Sequence, residues 1–87
     1  MYDIKFSKSV NKFIRKSPSD YQNKFIQSFE TLSLNPFNSV QDIKPLQNKK
    51  GHFRLRIGKF RFLYELRKDI LLIYFYKADS RGQVYKK

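Results

Sequence analysis

Eighty-seven residues form one domain, 1–87, too short to divide, and nineteen Lys and Arg against seven Asp and Glu give a formal charge of +12 that repels itself unless something anionic lies against it. The absence of Cys excludes disulfides and thiolate chemistry, and one His with seven acids offers little for a dedicated metal site. No apolar run reaches the length of a signal peptide or a membrane span, so the expectation is a cytoplasmic protein with no membrane partner, no cofactor and no metal.

So small a chain needs large side chains for its core, and nine Phe and six Tyr spread through every segment supply them. Tyr2-Asp3-Ile4-Lys5-Phe6 alternates apolar and polar, which predicts a first strand with Tyr2, Ile4 and Phe6 inward. Ser7 is placed to N-cap a helix in which Val10, Phe13 and Ile14 make the apolar stripe, while Lys8, Lys12, Arg15 and Lys16 take the wet side. Ser17-Pro18 interrupts it, because the residue before a proline is pushed out of the helical region and the proline suits the first turn of a new helix. In that second helix Tyr21, Phe25, Phe29 and Leu32 recur on one face until Asn35-Pro36 ends it.

Residues 35–51 are rich in Asn, Pro, Gln, Lys and Ser, show no lasting period, and read as a long loop tied down by Phe37, Val40, Ile43 and Leu46. The loop delivers Lys44, Lys49 and Lys50 to the edge of the next element. From His52 to Arg67 apolar and basic residues alternate with a strand period that breaks at Gly58-Lys59. This predicts a hairpin with Phe53, Leu55 and Ile57, then Phe60, Phe62, Tyr64 and Leu66, facing one way. His52, Arg54, Arg56 and Arg61 face the other. Lys49 to Arg61 holds six cations and no acid. After the polar turn Arg67-Lys68-Asp69, the run Ile70 to Tyr76 is apolar throughout, as expected of a strand covered on both faces, and it is placed at the centre of the sheet. The sum is an α+β fold, β-α-α-β-β-β, with two N-terminal helices on one face of a small, mainly antiparallel four-stranded sheet and the arginines on the other.

Arginine's planar fork matches phosphate with two parallel hydrogen bonds, and three arginines on adjacent strands repel one another unless an anion joins them, so Arg54, Arg56 and Arg61 are candidate phosphate ligands. RNA can be cut without a metal when its own 2′-hydroxyl attacks the adjacent phosphorus, which needs a base, cations for the equatorial oxygens and an acid for the leaving oxygen. Proton carriers are scarce. His52, the one imidazole, is read as a solvated or RNA-contacting side chain rather than as the base. Tyr85, beside Arg81, Lys86 and Lys87, reads either as a tail aromatic that caps the core or as a phenol whose anion neighbouring cations favour. Tyr64, Tyr74 and Tyr76 read mainly as core packing, with base stacking as the alternative duty.

Two stretches resemble the RelE/ParE toxin superfamily, and within it the RelE-like messenger-RNA interferases of type II toxin–antitoxin pairs. The first is Leu46 followed by Gly51-His52-Phe53-Arg54-Leu55-Arg56-Ile57-Gly58-Lys59-Phe60-Arg61-Phe62-Leu63-Tyr64-Glu65, and the second is Ser80-Arg81-Gly82-Gln83-Val84-Tyr85. The resemblance implies a ribosome-dependent endoribonuclease that cleaves messenger in the ribosomal A site, a monomer on its own, restrained by an acidic antitoxin. It implies catalytic roles for Arg61, Tyr85, Arg81 and Arg56 and matches Arg54 to the family's basic pair; with Arg54, the nearby basic residues Lys49, Lys50, Lys59, His52, Lys86 and Lys87 are the candidate RNA contacts. Relatives place an Arg either four or six residues before the terminal Tyr; here Arg81 stands at four and Asp79 at six, and the tail carries no His. Two other readings compete with it: a DNA gyrase inhibitor like the ParE branch, and an RNA-binding module without chemistry.

Overall fold

The computed structural model describes residues 1–80, with β1 Asp3–Phe6, α1 Lys8–Lys16, α2 Ser19–Leu34, β2 Asp42–Pro45, β3 His52–Ile57, β4 Phe60–Arg67 and β5 Leu72–Ser80. The five strands make one sheet in the order β1-β5-β4-β3-β2, with β1 parallel to β5 and every other neighbour antiparallel. The α+β class and the helix pair match expectation, and Ser7 caps α1 by accepting from the Val10 amide at 3.2 Å. Asn35 closes α2, its amide donating to the Thr31 carbonyl at 3.1 Å.

The strand count differs from the expected four. Residues 42–45 pair with β3, Ile43 opposite Leu55 and Pro45 opposite Phe53, inside the stretch that reads as loop. Four residues with a single apolar side chain pointing to the core, ending in proline, fit an edge strand and leave no period in the sequence. The expected anchors of that stretch divide: Ile43 packs against the core and Leu46 is half-buried, whereas Phe37 is 59% and Val40 88% exposed. The middle of the sheet is β4, not the 70–76 run. That run begins pairing only at Leu72, since Leu71 sits in a turn at φ 52 and both Ile70 and Leu71 are exposed.

The helices cover one face. Phe62 is fully buried between strand and helix neighbours, its ring edge-on to Phe13, Phe25 and Phe29 at 5.9, 5.0 and 5.3 Å. These T-shaped contacts satisfy the ring quadrupoles while filling volume. Phe75 on β5 meets Phe29 at 4.7 Å, so one aromatic cluster ties both helices to β4 and β5. The β3–β4 turn is two residues long with Gly58 at φ +60 in its first position, the conformation that a tight right-twisted hairpin demands and that a side chain resists. This short turn sets the register on which the other face depends.

Candidate nucleic-acid interface

Cα partners in an antiparallel pair share a face, and the register puts Arg56 directly opposite Arg61, Arg54 opposite Leu63 and His52 opposite Glu65. Among the described residues no helix covers this side. Two guanidiniums at opposed positions form the focus of positive charge. Arg56 is steadied by its Nε donating to the Gly58 carbonyl at 3.2 Å, and Arg61 lies low in the sheet, 9% exposed. Arg54 is also buried, its Nη2 donating to Asp42 at 2.6 Å, while its Nε has no hydrogen-bond partner among the described residues. The acid-free run from Lys49 to Arg61 is thus answered from outside itself. Asp42 comes from β2, Glu65 from β4, and Asp79 stands opposite Arg61 on β5.

At the other end of the hairpin, His52 Nδ1 and Tyr76 Oη are hydrogen-bonded at 3.0 Å, with rings 5.5 Å apart and nearly perpendicular. Lys49 Nζ lies 5.8 Å from the centre of the Tyr76 ring, a cation–π arrangement, and Tyr74 lies 6.5 Å from Tyr76. Tyr76 reaches this position through a bulge: Leu63 pairs with Lys77 and Tyr64 with Phe75, so Tyr76 is the extra residue. Burial first, and the negative charge of Glu65 second, push its phenol above the ordinary value of 10.0. Tyr64 belongs to the core, and burial raises its phenol as well.

The structure therefore gathers Arg54, Arg56, Arg61, His52 and Lys49 on one face. Lys50 is exposed in the turn before β3. Lys59 turns the other way, with Nζ 5.7 Å from the Tyr21 ring of α2 and 5.5 Å from Phe60, on the helix side. Arg81, Tyr85, Lys86 and Lys87 lie outside the described residues. Sequence reasoning missed two features: the Asp42 partner of Arg54, hidden because β2 itself was hidden, and the open-face placement of Tyr74 and Tyr76, masked by a run that is apolar on both sides. A groove of about 590 Å³ lined by Tyr2, Ile4, Ile26 and Leu34, with Asp3 and Glu30 at its margin, lies between β1 and α2 and takes no part in the arginine face. Among the described residues no group of three or more His, Asp or Glu could hold a metal, and no helix is long and apolar enough to cross a membrane.

The two-helix α+β fold recurs in solved structures of small toxins. Over 94% of this chain and 97% of the other, it superposes on the archaeal RelE of a RelE–RelB complex from Pyrococcus horikoshii with a TM-score of 0.83 at 24% identity. It covers 92% of itself and 98% of a chain in the RelBE2 toxin–antitoxin complex of Mycobacterium tuberculosis, with a TM-score of 0.75 at 26% identity. In sequence it is 34% identical to a toxin candidate, RelE1, of Methanocaldococcus jannaschii, over 98% of this chain and 96% of that one. No family model matches. The chain belongs to the RelE family of toxin–antitoxin toxins.

Proposed function

We propose that this protein is a ribosome-dependent endoribonuclease that cuts messenger RNA in the ribosomal A site and is restrained by an acidic antitoxin. The observation that carries the reading is the opposed placement of Arg56 and Arg61 on β3 and β4, with Arg54 on the same open face. Like charges facing each other across a ladder destabilise a sheet, and a phosphate bound between them turns that repulsion into attraction. In the reaction the 2′-oxygen attacks the adjacent phosphorus and the bond to the 5′-oxygen breaks, leaving a 2′,3′-cyclic phosphate. One proton leaves the hydroxyl and one reaches the departing oxygen. Arg56 and Arg61 stabilise the equatorial oxygens, where charge grows most in the transition state. Tyr85, flanked in sequence by Arg81, Lys86 and Lys87, serves as the proton carrier, its anion favoured by those cations.

The +12 charge suits ribosomal RNA as the docking surface and makes association fall steeply with salt. Such a protein works in the cytoplasm, where messenger and ribosomes are. The partner is an antitoxin like the RelB of the complexes above, an acidic segment that folds on binding and neutralises this face. Primer extension on a messenger incubated with translating ribosomes tests the reading. Wild type gives cuts at A-site codons, Arg61→Ala abolishes them, and Tyr85→Phe reduces them by the share that the phenol carries. Intact messenger and undiminished translation with the wild-type protein would refute it and redirect attention to gyrase supercoiling.

A further inference from the structure

Tyr74 and Tyr76 are large rings left half-exposed on the sheet face that no helix covers among the described residues. Core packing accounts for neither, since the buried face of β5 is taken by Ile73 and Phe75. The bulge at Tyr76 places its ring beyond the regular pairing, where it meets His52 from two strands away. His52 and Lys49 hold that ring by its hydroxyl and by its π-face. Glu65 stands between them in the register, opposite both His52 and Tyr74, and takes part in neither of the two ion pairs among the described residues. A carboxylate in a chain of +12 net charge that makes no ion pair among the described residues can accept from a ligand with N–H donors. Along β3, His52 lies four residues from Arg56, roughly 13 Å at strand rise, so the two ends of the hairpin can serve neighbouring parts of one extended strand of nucleic acid.

We propose that Tyr74, Tyr76, His52 and Glu65 form a base-binding subsite for single-stranded RNA beside the arginine phosphate clamp, stacking a flanking base on the tyrosines and reading its amino edge with the Glu65 carboxylate. The subsite rests on the RNA-cleavage reading and adds to it a selectivity. Sheet-borne aromatic side chains stack unpaired bases irrespective of identity, because every base has a π-face. The carboxylate supplies the discrimination, because it accepts from the exocyclic amines of adenine, cytosine and guanine, and uracil has none. Burial and the Glu65 charge keep the Tyr76 phenol protonated, so its ring stays neutral and its hydroxyl stays bound to His52.

The test uses the full chain and short single-stranded oligoribonucleotides, oligo-A and oligo-U, with a 2-aminopurine reporter for stacking. The wild type is expected to bind oligo-A more tightly than oligo-U and to quench the reporter. Tyr76→Ser is expected to bind oligo-A about tenfold more weakly, the loss of one base–aromatic stack, and to lose the quenching. Tyr76→Phe keeps the stack. Glu65→Gln, which preserves shape and does not depend on the folding of the serine variant, is expected to narrow the preference for oligo-A by lowering it and sparing oligo-U. Wild-type affinity and base preference in both Tyr76→Ser and Glu65→Gln would overturn the subsite. So would a Tyr76-dependent affinity for poly-glutamate in place of RNA, which would make this face a protein-docking surface. The two readings fail separately. Messenger left uncut on ribosomes with stacking intact removes the nuclease and keeps the subsite, while cleavage with unaltered base preference in the variants does the reverse.

Discussion

Replacing Asp42 by Asn removes the charge that holds Arg54. The ion pair is 2.6 Å long, and the two side chains are 10% and 46% exposed, so one partner is buried and the other is half in water. An exposed pair contributes only about 0.2–1 kcal/mol, whereas stranding one partner of a fully buried pair costs about 3–5 kcal/mol. The loss here lies between the two, about 2 kcal/mol, in the range of a single charged hydrogen bond. For a domain of this size that lowers the melting temperature by about 12 °C. The reverse substitution is asymmetric: Arg54→Met leaves a half-exposed carboxylate that water can solvate, with a loss below about 1 kcal/mol. Urea denaturation of the two single variants and the double variant measures the difference, and the double variant should resemble Arg54→Met alone. An Asp42→Asn protein that melts within about 3 °C of wild type, or an Arg54→Met protein just as weakened, would refute the reasoning.

Phe62→Ala removes a fully buried ring that touches both helices and should cost about 3–5 kcal/mol, enough to leave much of the protein unfolded at 37 °C by circular dichroism. Burial holds the Tyr64 phenol above its ordinary 10.0 in the folded state, so below about pH 10 it is neutral in both states and stability is undiminished. Above that pH the unfolded phenol releases its proton and the folded one keeps it, and stability falls by up to about 1.4 kcal/mol per pH unit. Tyr64→Phe should flatten that fall between pH 10 and 11 in urea midpoints, and parallel curves for the two proteins would contradict the assignment.

Much of the fold was readable because local signals agreed with one another. Ser7, the Ser17-Pro18 break and the Tyr21-Phe25-Phe29-Leu32 stripe each have a local cause that tertiary structure had no reason to overrule. The hairpin was readable because alternation and Gly58 coincide. What escaped depends on partners distant in sequence. β2 exists because β3 offers it an edge, with one inward Ile43 too little to mark a strand. The position of β5 beside β1 is decided by parallel pairing, which leaves no local trace. In the candidate site, three arginines on one face followed from period alone, yet the side-chain settings did not. Arg54 turns to an acid twelve residues upstream, Lys59 folds back over Tyr21, and a bulge that no alternation announces carries Tyr76 onto the open face.

The parallel pairing of β1 with β5 joins Asp3–Phe6 to residues 72–75. Among the described residues β1 has no other neighbour in the sheet, so no shorter stretch of them substitutes for this pairing. During synthesis the first strand therefore emerges long before its partner exists, and closing so large a loop is slow in entropic terms. The inner face of α1 likewise waits for Phe60 and Phe62 of β4, which its Phe13 packs against, and for β5 beside it. A toxin built this way acquires its complete sheet only once residues 72–80 are free to pair with both β1 and β4.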